Sequence, residues 1–579
     1  MEVAVTPIST VAVLFWTMLV ASSFCFARDN YLRAMLKAHW GKLALLLLLT
    51  LVWRTPADGV FFHGLEYEDS YIYIVVGRQM SKGIGPKSPS ANSPYSTEVC
   101  EVGSLISCQQ WERFPEHLIG YPYALSIFFR IFGYTPSSGS LFNLAISCIT
   151  TLLIFLVALS ITDDPHVASL AGLVFAITPV FAVYGLETSA EPFSNLLIIL
   201  VVWLYLRLCD GDQFAHTSRM VTWTAYSAAL LFSLSVKREN ILLLVILPMM
   251  LPLMFKDRHS RRRERYLLTG LMIAASALAI ILCVSMHLLQ TSSGEVELFR
   301  RFPLTPQRLA TFVGGFLRSF FIAKWYGGTV FAVGAGIVIT CVRRRRSLLP
   351  VALLAAYILL YACHIRSYYE MESGNVEPQT ALRFSMNVMA LWAVVAGFGI
   401  GAILTRLSSS RVWNRNKRLS AWAMVLASFA LFVVAFIATA RLRNYEVEDE
   451  AISRLNPALS AINLASHRRS ESDFVVTMEP LIVQMYAGPD TQVIDLESVS
   501  TGALRAMVSP DATAHLLFVK EGDRLSADDL NRYGEPVRFL LSLPYTVLRN
   551  NSRFQILAVN TLNSHHDLNL RDLESQPNK

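Results

Sequence analysis

The residues best suited to chemistry in this sequence are few, and they stand at the edges of apolar runs. A carboxylate pair, Glu68-Asp69, heads the stretch DSYIYIVVGRQMS, with Tyr71 just beyond it. A carboxylate so placed can take a proton from an attacking hydroxyl. Asp69 aligns best with the helix register that follows, and Glu68 can orient it or serve instead. The bland alternative is a helix cap, because acids are favoured at a helix N-terminus. The turn YGLETSAEPF carries Glu187 and Glu191, the latter directly before Pro192. Proline favours the first turn of a helix, so Glu191 also reads as a simple helix start, and Glu187 as a solvated loop acid. Lys237-Arg238 and Arg383 are cations able to hold an anionic group and stabilise charge developing on it; equally, Lys237 and Arg238 can reach for lipid headgroups. His117 lies in FPEHLIGYPYALSIFFRIFG. His364, Arg366 and Glu370 lie in a later polar loop, where they contact a ligand or only line the surface.

The elements that must position these groups are apolar. Of 579 residues 53% are hydrophobic and only 16% charged, with a mean hydropathy of +0.43. A soluble domain is about a quarter charged, so the composition points to a membrane and excludes disorder, fibres and disulfide scaffolds. The net charge of +7 sits in short clusters between apolar runs rather than along a face, so no nucleic-acid partner is expected. A membrane helix needs about 20 apolar residues. On that template spans fall near 42–62, 138–161, 166–184, 190–208, 220–236, 240–256, 266–289, 326–342, 347–364, 382–404 and 420–440. An earlier stretch, 7–26, is a further span with its N-terminus outside, or a cleaved signal. The basic clusters at Arg28–Lys42, Lys256–Arg265, Arg343–Arg346 and Arg406–Arg418 all fall on one side of this alternation, which the positive-inside rule makes cytoplasmic. Two long segments then lie outside, 63–137 and everything after 441.

In the first outer segment, Ile72, Val75, Val76 and Met80 recur at helical spacing, which predicts an amphipathic helix lying in the membrane interface. Segment 114–133 is apolar but holds Pro122 and Arg130 and reads as a second surface-lying helix. After 441, DFVVTM, TQVIDL, HLLFVK and FQILAV read as strands between turn residues, with helix-like stretches at 448–466 and 526–533. Cys100 and Cys108 can close a short extracytoplasmic disulfide or remain thiols. No cysteine or histidine cluster has zinc spacing. The expected organisation is an N-terminal apolar segment and linker (1–41), a transmembrane domain (42–440) and an extracytoplasmic α/β domain (441–579).

The order of outer features resembles the C-type integral-membrane glycosyltransferases (GT-C), and most of all the branch holding the protein O-mannosyltransferases and the lipid A aminoarabinose transferase. In that branch an acidic pair opens the first outer loop, where Glu68-Asp69 stands here. A proline-bearing juxtamembrane segment runs to a Phe-Gly, as 114–133 does, and an acid-Pro opens a span, as Glu191-Pro192 does. A basic residue follows at the next outer turn, as Lys237 or Arg238 does. The match of order covers about 60–260 and the rest only by architecture. Two departures stand out: the pair is Glu-Asp rather than Asp-Glu, and Pro115-Glu116-His117 replaces a His-Pro-Pro.

The resemblance implies a polytopic, GT-C-like all-α membrane domain of about 11–12 transmembrane helices with the α/β domain behind it. It also implies transfer of a sugar from a polyprenyl-phosphate donor to an extracytoplasmic glycan, lipid or protein at the plasma (inner) membrane. Asp69, or Glu68, would be the base of an inverting attack, and Lys237, Arg238 and Arg383 would hold the lipid phosphate. Glu191, Glu187, His117 and Tyr71 are further substrate-binding candidates. No cofactor is demanded, though some relatives use a divalent metal. The rival classes are a transporter or lipid-linked sugar flippase, and a surface-glycan polymerase or ligase. A transporter should place ionisable groups at mid-membrane, often repeated between halves; the charges here sit at outer span ends.

Overall fold

The computed structural model describes residues 2–28, 30–55, 68–83, 87–88, 112–113, 118–135, 137–186, 188–209, 216–254, 270, 326, 329–343, 345–362, 386–408, 433, 435–437, 439–440, 474–477, 492–495, 516–521, 538–540, 542, 545–550 and 554–559. The chain divides into two compact units, one of Met1–Leu65 with Glu116–Glu448 and one of Glu66–Pro115 with Asp449–Lys579.

The first unit is helical among its described residues. Helices α1 (Glu2–Arg28) and α2 (Asn30–Arg54) are followed by α4 (Gly120–Phe132), α5 (Ser138–Thr162), α6 (Pro165–Ile177) and the short α7 (Pro179–Val183). Then come α8 (Ala190–Cys209), α9 (His216–Val236), α10 (Ile241–Met254), α11 (Thr329–Arg343), α12 (Leu348–Ala362) and α13 (Met389–Ser408). By length and apolar content, five helices among the described residues can cross a membrane: Ser9–Ala27, Arg33–Arg54, Ser138–Thr162, Ala190–Cys209 and Met389–Arg406. Nearly all of the expected span 266–289 and most of 420–440 lie outside the described residues.

Local chemistry sets the breaks. The turn between α5 and α6 places Asp163 in the left-handed region at φ 56°. Asp164 then caps α6, its Oδ1 accepting from the His166 amide at 2.8 Å, with Pro165 opening the helix. The span expected at 166–184 is not one straight helix. It bends by 68° between α6 and the Pro179–Leu186 segment, because Thr178 adopts an extended conformation (φ −63°, ψ 125°) ahead of Pro179, as residues before proline tend to. Helix α2 likewise ends at Arg54, short of the span end expected at 62. Two polar rungs join it to α5: Thr50 Oγ1 to Thr151 Oγ1 at 3.0 Å and Arg54 Nη1 to Ser147 Oγ at 3.0 Å. Glycines let α13 press against its neighbours. A Cβ on Gly399 would overlap the Ala332 backbone of α11, and one on Gly397 would lie 2.7 Å from the Ala171 Cβ of α6. Such small-residue contacts are how membrane helices approach closely.

In the second unit α3 (Glu68–Ser81) corrects an expectation. It is a helix over the anticipated residues, but Ile72–Met80 are all buried, Arg78 and Gln79 included, so it does not lie as an amphipathic helix on a surface. In α4, Tyr121, Leu125 and Phe129 are buried while Arg130, Ile131 and Phe132 are exposed.

The strands β1 (Lys87–Ser88) and β2 (Glu112–Arg113) form a two-residue antiparallel ladder. The C-terminal part holds a five-stranded mixed sheet made of β3 (Phe474–Thr477), β4 (Gln492–Asp495), β5 (Leu516–Glu521), β6 (Tyr545–Asn550) and β7 (Phe554–Val559). Its order is β4-β3-β5-β7-β6, with β4, β3 and β5 parallel and β7 antiparallel to both β5 and β6. All four anticipated strands are present, and β6 is the addition. The helix-like stretches 448–466 and 526–533, and Cys100 and Cys108, lie outside the described residues.

Candidate active site

Glu191 and Lys237, singled out separately in the sequence, come together. Glu191 lies in the first turn of α8, a helix buried along its whole length, and the carboxylate is fully buried. A charge removed from water must be paired. Lys237 leaves α9 in an extended conformation (φ −145°, ψ 129°) and turns its ammonium back: Nζ donates to Glu191 Oε1 at 2.8 Å. Glu239 Oε1 stands 3.9 Å from the same Nζ. Glu191 is therefore neither a solvated helix start nor a free base, and Lys237 is flanked by two carboxylates. Arg238, partly exposed, opens the 3-10 turn Arg238–Asn240 beside the pair.

The amide of Asn240 fixes that turn. Its Nδ2 donates to Ser194 Oγ and to the Ser233 carbonyl, both at 2.9 Å. Its Oδ1 accepts from the Tyr357 hydroxyl at 2.9 Å and from Ser194 Oγ at 3.2 Å. One buried residue thus ties α8, α9 and α12 together directly below Lys237. Asn195 extends the frame, its Oδ1 accepting from the Ala390 amide at 2.9 Å in the first turn of α13. Tyr361, one helical turn on from Tyr357, accepts from Asn387 Nδ2. Thr188 Oγ1, Ser189 Oγ and Asn387 Oδ1 are buried and make no hydrogen bond among the described residues, leaving neutral hydrogen-bonding capacity around the start of α8.

Of the other candidates, Glu68 and Asp69 are the first two residues of α3 and Tyr71 follows in its first turn, as the sequence places them. His117, Glu187 and Arg383 lie outside the described residues. Among the described residues no group of three His, Cys, Asp or Glu side chains comes together to hold a metal ion. Sequence reasoning missed Asn240, Asn195, Asn387, Tyr357, Tyr361 and the buried Arg54. The available signal was an amide at the edge of an apolar run, or a lone arginine at the end of one.

The sequence profile of the family described as dolichyl-phosphate-mannose-protein mannosyltransferase matches residues 116–287, a stretch that holds Glu191, Lys237, Arg238 and Asn240. No curated protein sequence matches the chain. Among solved structures, the chain is similar to ArnT from Cupriavidus metallidurans bound to undecaprenyl phosphate, at 12% identity and a TM-score of 0.55, over 90% of this chain and 98% of that one. It is also similar to the archaeal oligosaccharyltransferase AglB from Archaeoglobus fulgidus in complex with an inhibitory peptide and a dolichol-phosphate. There the identity is 12% and the TM-score 0.53, over 92% of this chain and 75% of that one. The chain has the GT-C fold. Over residues 116–287 the sequence resembles that mannosyltransferase family, and the fold is shared with these two solved structures. Its apolar helices are those of an integral membrane protein. The polar frame around Glu191, Lys237 and Asn240 is built from α8, α9, α12 and the start of α13.

Proposed function

We propose that this chain moves one sugar from a polyprenyl-phosphate donor onto a hydroxyl of an extracytoplasmic glycan, lipid or protein, at the outer face of the plasma (inner) membrane. The observation that carries the reading is the buried Glu191–Lys237 pair with Arg238 beside it, inside the segment that matches the mannosyltransferase family. The polyprenyl phosphates bound by the two solved relatives support the donor class.

In the proposed reaction the acceptor oxygen attacks the anomeric carbon and its proton passes to Asp69, with Glu68 orienting that carboxylate. The bond from the anomeric carbon to the phosphate oxygen breaks, and the polyprenyl phosphate departs with the electron pair. Arg238 and Arg383 take the developing charge, since a preorganised cation is worth most where charge appears. Glu191 holds the Lys237 ammonium in place, so Lys237 serves as a positioned rather than a mobile cation. Tyr71, His117 and Glu187 are assigned to the acceptor and sugar hydroxyls.

A single displacement inverts the anomeric centre, which gives the test. Product from a donor of defined configuration should carry the opposite configuration, and Asp69→Asn should lower the transfer rate by about 100-fold or more. Retained configuration would overturn the mechanism, and full activity of Asp69→Asn would move the base to Glu68.

A further inference from the structure

Arg54 is the last residue of α2 and is fully buried, yet none of the roles above employs it. Its Nη1 donates to Ser147 Oγ on α5 and its Nη2 to the backbone carbonyl of Phe175 on α6, each at 3.0 Å. The guanidinium carbon lies 4.5 Å from the centre of the Phe175 ring. The choice of carbonyl is informative. In an unbroken α-helix the Phe175 carbonyl would accept from the amide four residues on. That residue is Pro179, which has no N–H. The amide of Thr178 is already given to the Val174 carbonyl at 3.0 Å. The proline thus strips a carbonyl of its helical donor at the point where the chain bends by 68°, and a bare carbonyl within a membrane is costly.

A second observation points the same way. A Cβ on Gly185 would overlap Arg54 Nη1, so the guanidinium lies directly against the 3-10 turn Tyr184–Leu186 that follows the bend. A little further on, a Cβ on Gly139 would overlap the Thr188 side chain, so the outer turn is held again by the start of α5. Glu191 comes next, in the first turn of α8. We infer that Arg54 is a positioning residue: it supplies the donor that Pro179 lacks, and by holding the bend it sets the outer turn that delivers Glu191 to Lys237. Arginine suits the task because its planar fork reaches Ser147 and Phe175 together, which a lysine ammonium on one stem does not.

The bond itself is independent of the reaction, whereas its consequence for activity rests on the function proposed above. The test uses the purified full-length chain in detergent micelles. Thermal midpoints are measured for the intact protein, Arg54→Gln, Pro179→Ala and the double variant, and transfer rates from a polyprenyl-phosphate hexose for the intact protein and Arg54→Gln. The midpoint lost with Arg54→Gln should be smaller in the Pro179→Ala background, where the alanine amide can serve the Phe175 carbonyl. The transfer rate of Arg54→Gln should fall by about tenfold at a temperature where it remains folded. Equal midpoint losses in both backgrounds, or an unchanged rate, would overturn the inference. Should Arg54→Gln fail to fold, Gly185→Ala, which crowds the guanidinium, takes its place in the same cycle with the same expectations. If the intact chain transfers sugar from no donor, the proposed function falls, and the midpoint coupling alone then decides the role of Arg54.

Discussion

Lys237 lies between a fully buried carboxylate and a second acid, 2.8 Å from Glu191 and 3.9 Å from Glu239. Removing one partner of such a pair leaves the other charge buried and alone, which costs about 3 kcal/mol or more. Lys237→Met is therefore expected to destabilise the chain by about that amount, and Lys237→Met with Glu191→Gln by clearly less than the sum of the two single changes. Chemical unfolding of the four proteins in detergent measures it, and additive losses would show that the pair is not coupled. The sequence offered both residues, but as separate candidates each with a bland rival, since they are 46 positions apart and nothing in a hydropathy pattern pairs them. Asn240 was invisible for a related reason. It closes the polar turn VKREN, where nothing marks it out, and its meaning lies in Tyr357, 117 positions away. Replacing Asn240 with Leu would leave the Tyr357 hydroxyl and the Ser233 carbonyl without this partner, and transfer should drop along with stability; a variant with wild-type rate would show that the turn holding Lys237 does not depend on it.

The elements were more legible than their contacts. Helices α5, α8 and α9 start and end close to where apolar runs and turn residues place them, because about 20 apolar residues can do little in a membrane except form a helix. The break at Thr178-Pro179 was available in the sequence, since proline removes a donor and pushes its predecessor out of the helical region, but run length alone conceals it. Helix α3 failed in the opposite way. Its periodic Ile72, Val75, Val76 and Met80 announced a helix correctly, yet burial of Arg78 and Gln79 depends on what packs around them, and one face of a pattern does not reveal that. Packing of α13 on α11 gives a test at this scale. Gly399 has the Ala332 backbone against it, while Gly334 on α11 faces open space. Gly399→Val should lower the thermal midpoint markedly, and Gly334→Val should leave it unchanged or raise it slightly, valine being the better helix former. Equal losses would mean that close approach of the two helices is not what these glycines provide.

For the whole molecule the clearest sequence signal was charge asymmetry. The basic runs Lys256–Arg265, Arg343–Arg346 and Arg406–Arg418 alternate consistently with the spans, and they predict an extracytoplasmic 441–579. In a chain whose native cysteines are replaced, Ser498→Cys should react with a membrane-impermeant maleimide on intact cells and Ser409→Cys only after permeabilisation. The reverse pattern would invert the topology and with it the side of the proposed reaction. The C-terminal strands were readable because short Val- and Ile-rich runs alternate with turn residues; β6 escaped because Tyr545–Asn550 carries Arg549 and only a brief apolar centre. The parallel pairing of β3 with β4 and β5 is a long-range choice that no single strand encodes.

On the proposed function, this chain turns over a polyprenyl-phosphate sugar. Radiolabelled polyprenyl-phosphate hexose and pentose donors, incubated with membranes bearing the intact chain and a crude cell-envelope acceptor, test it most directly. Label should pass from at least one donor into the acceptor with release of the polyprenyl phosphate, and membranes bearing Asp69→Asn at equal level should lose that transfer. No transfer from any donor, together with no donor binding by the intact chain, would rule out the proposed transfer and favour a transporter.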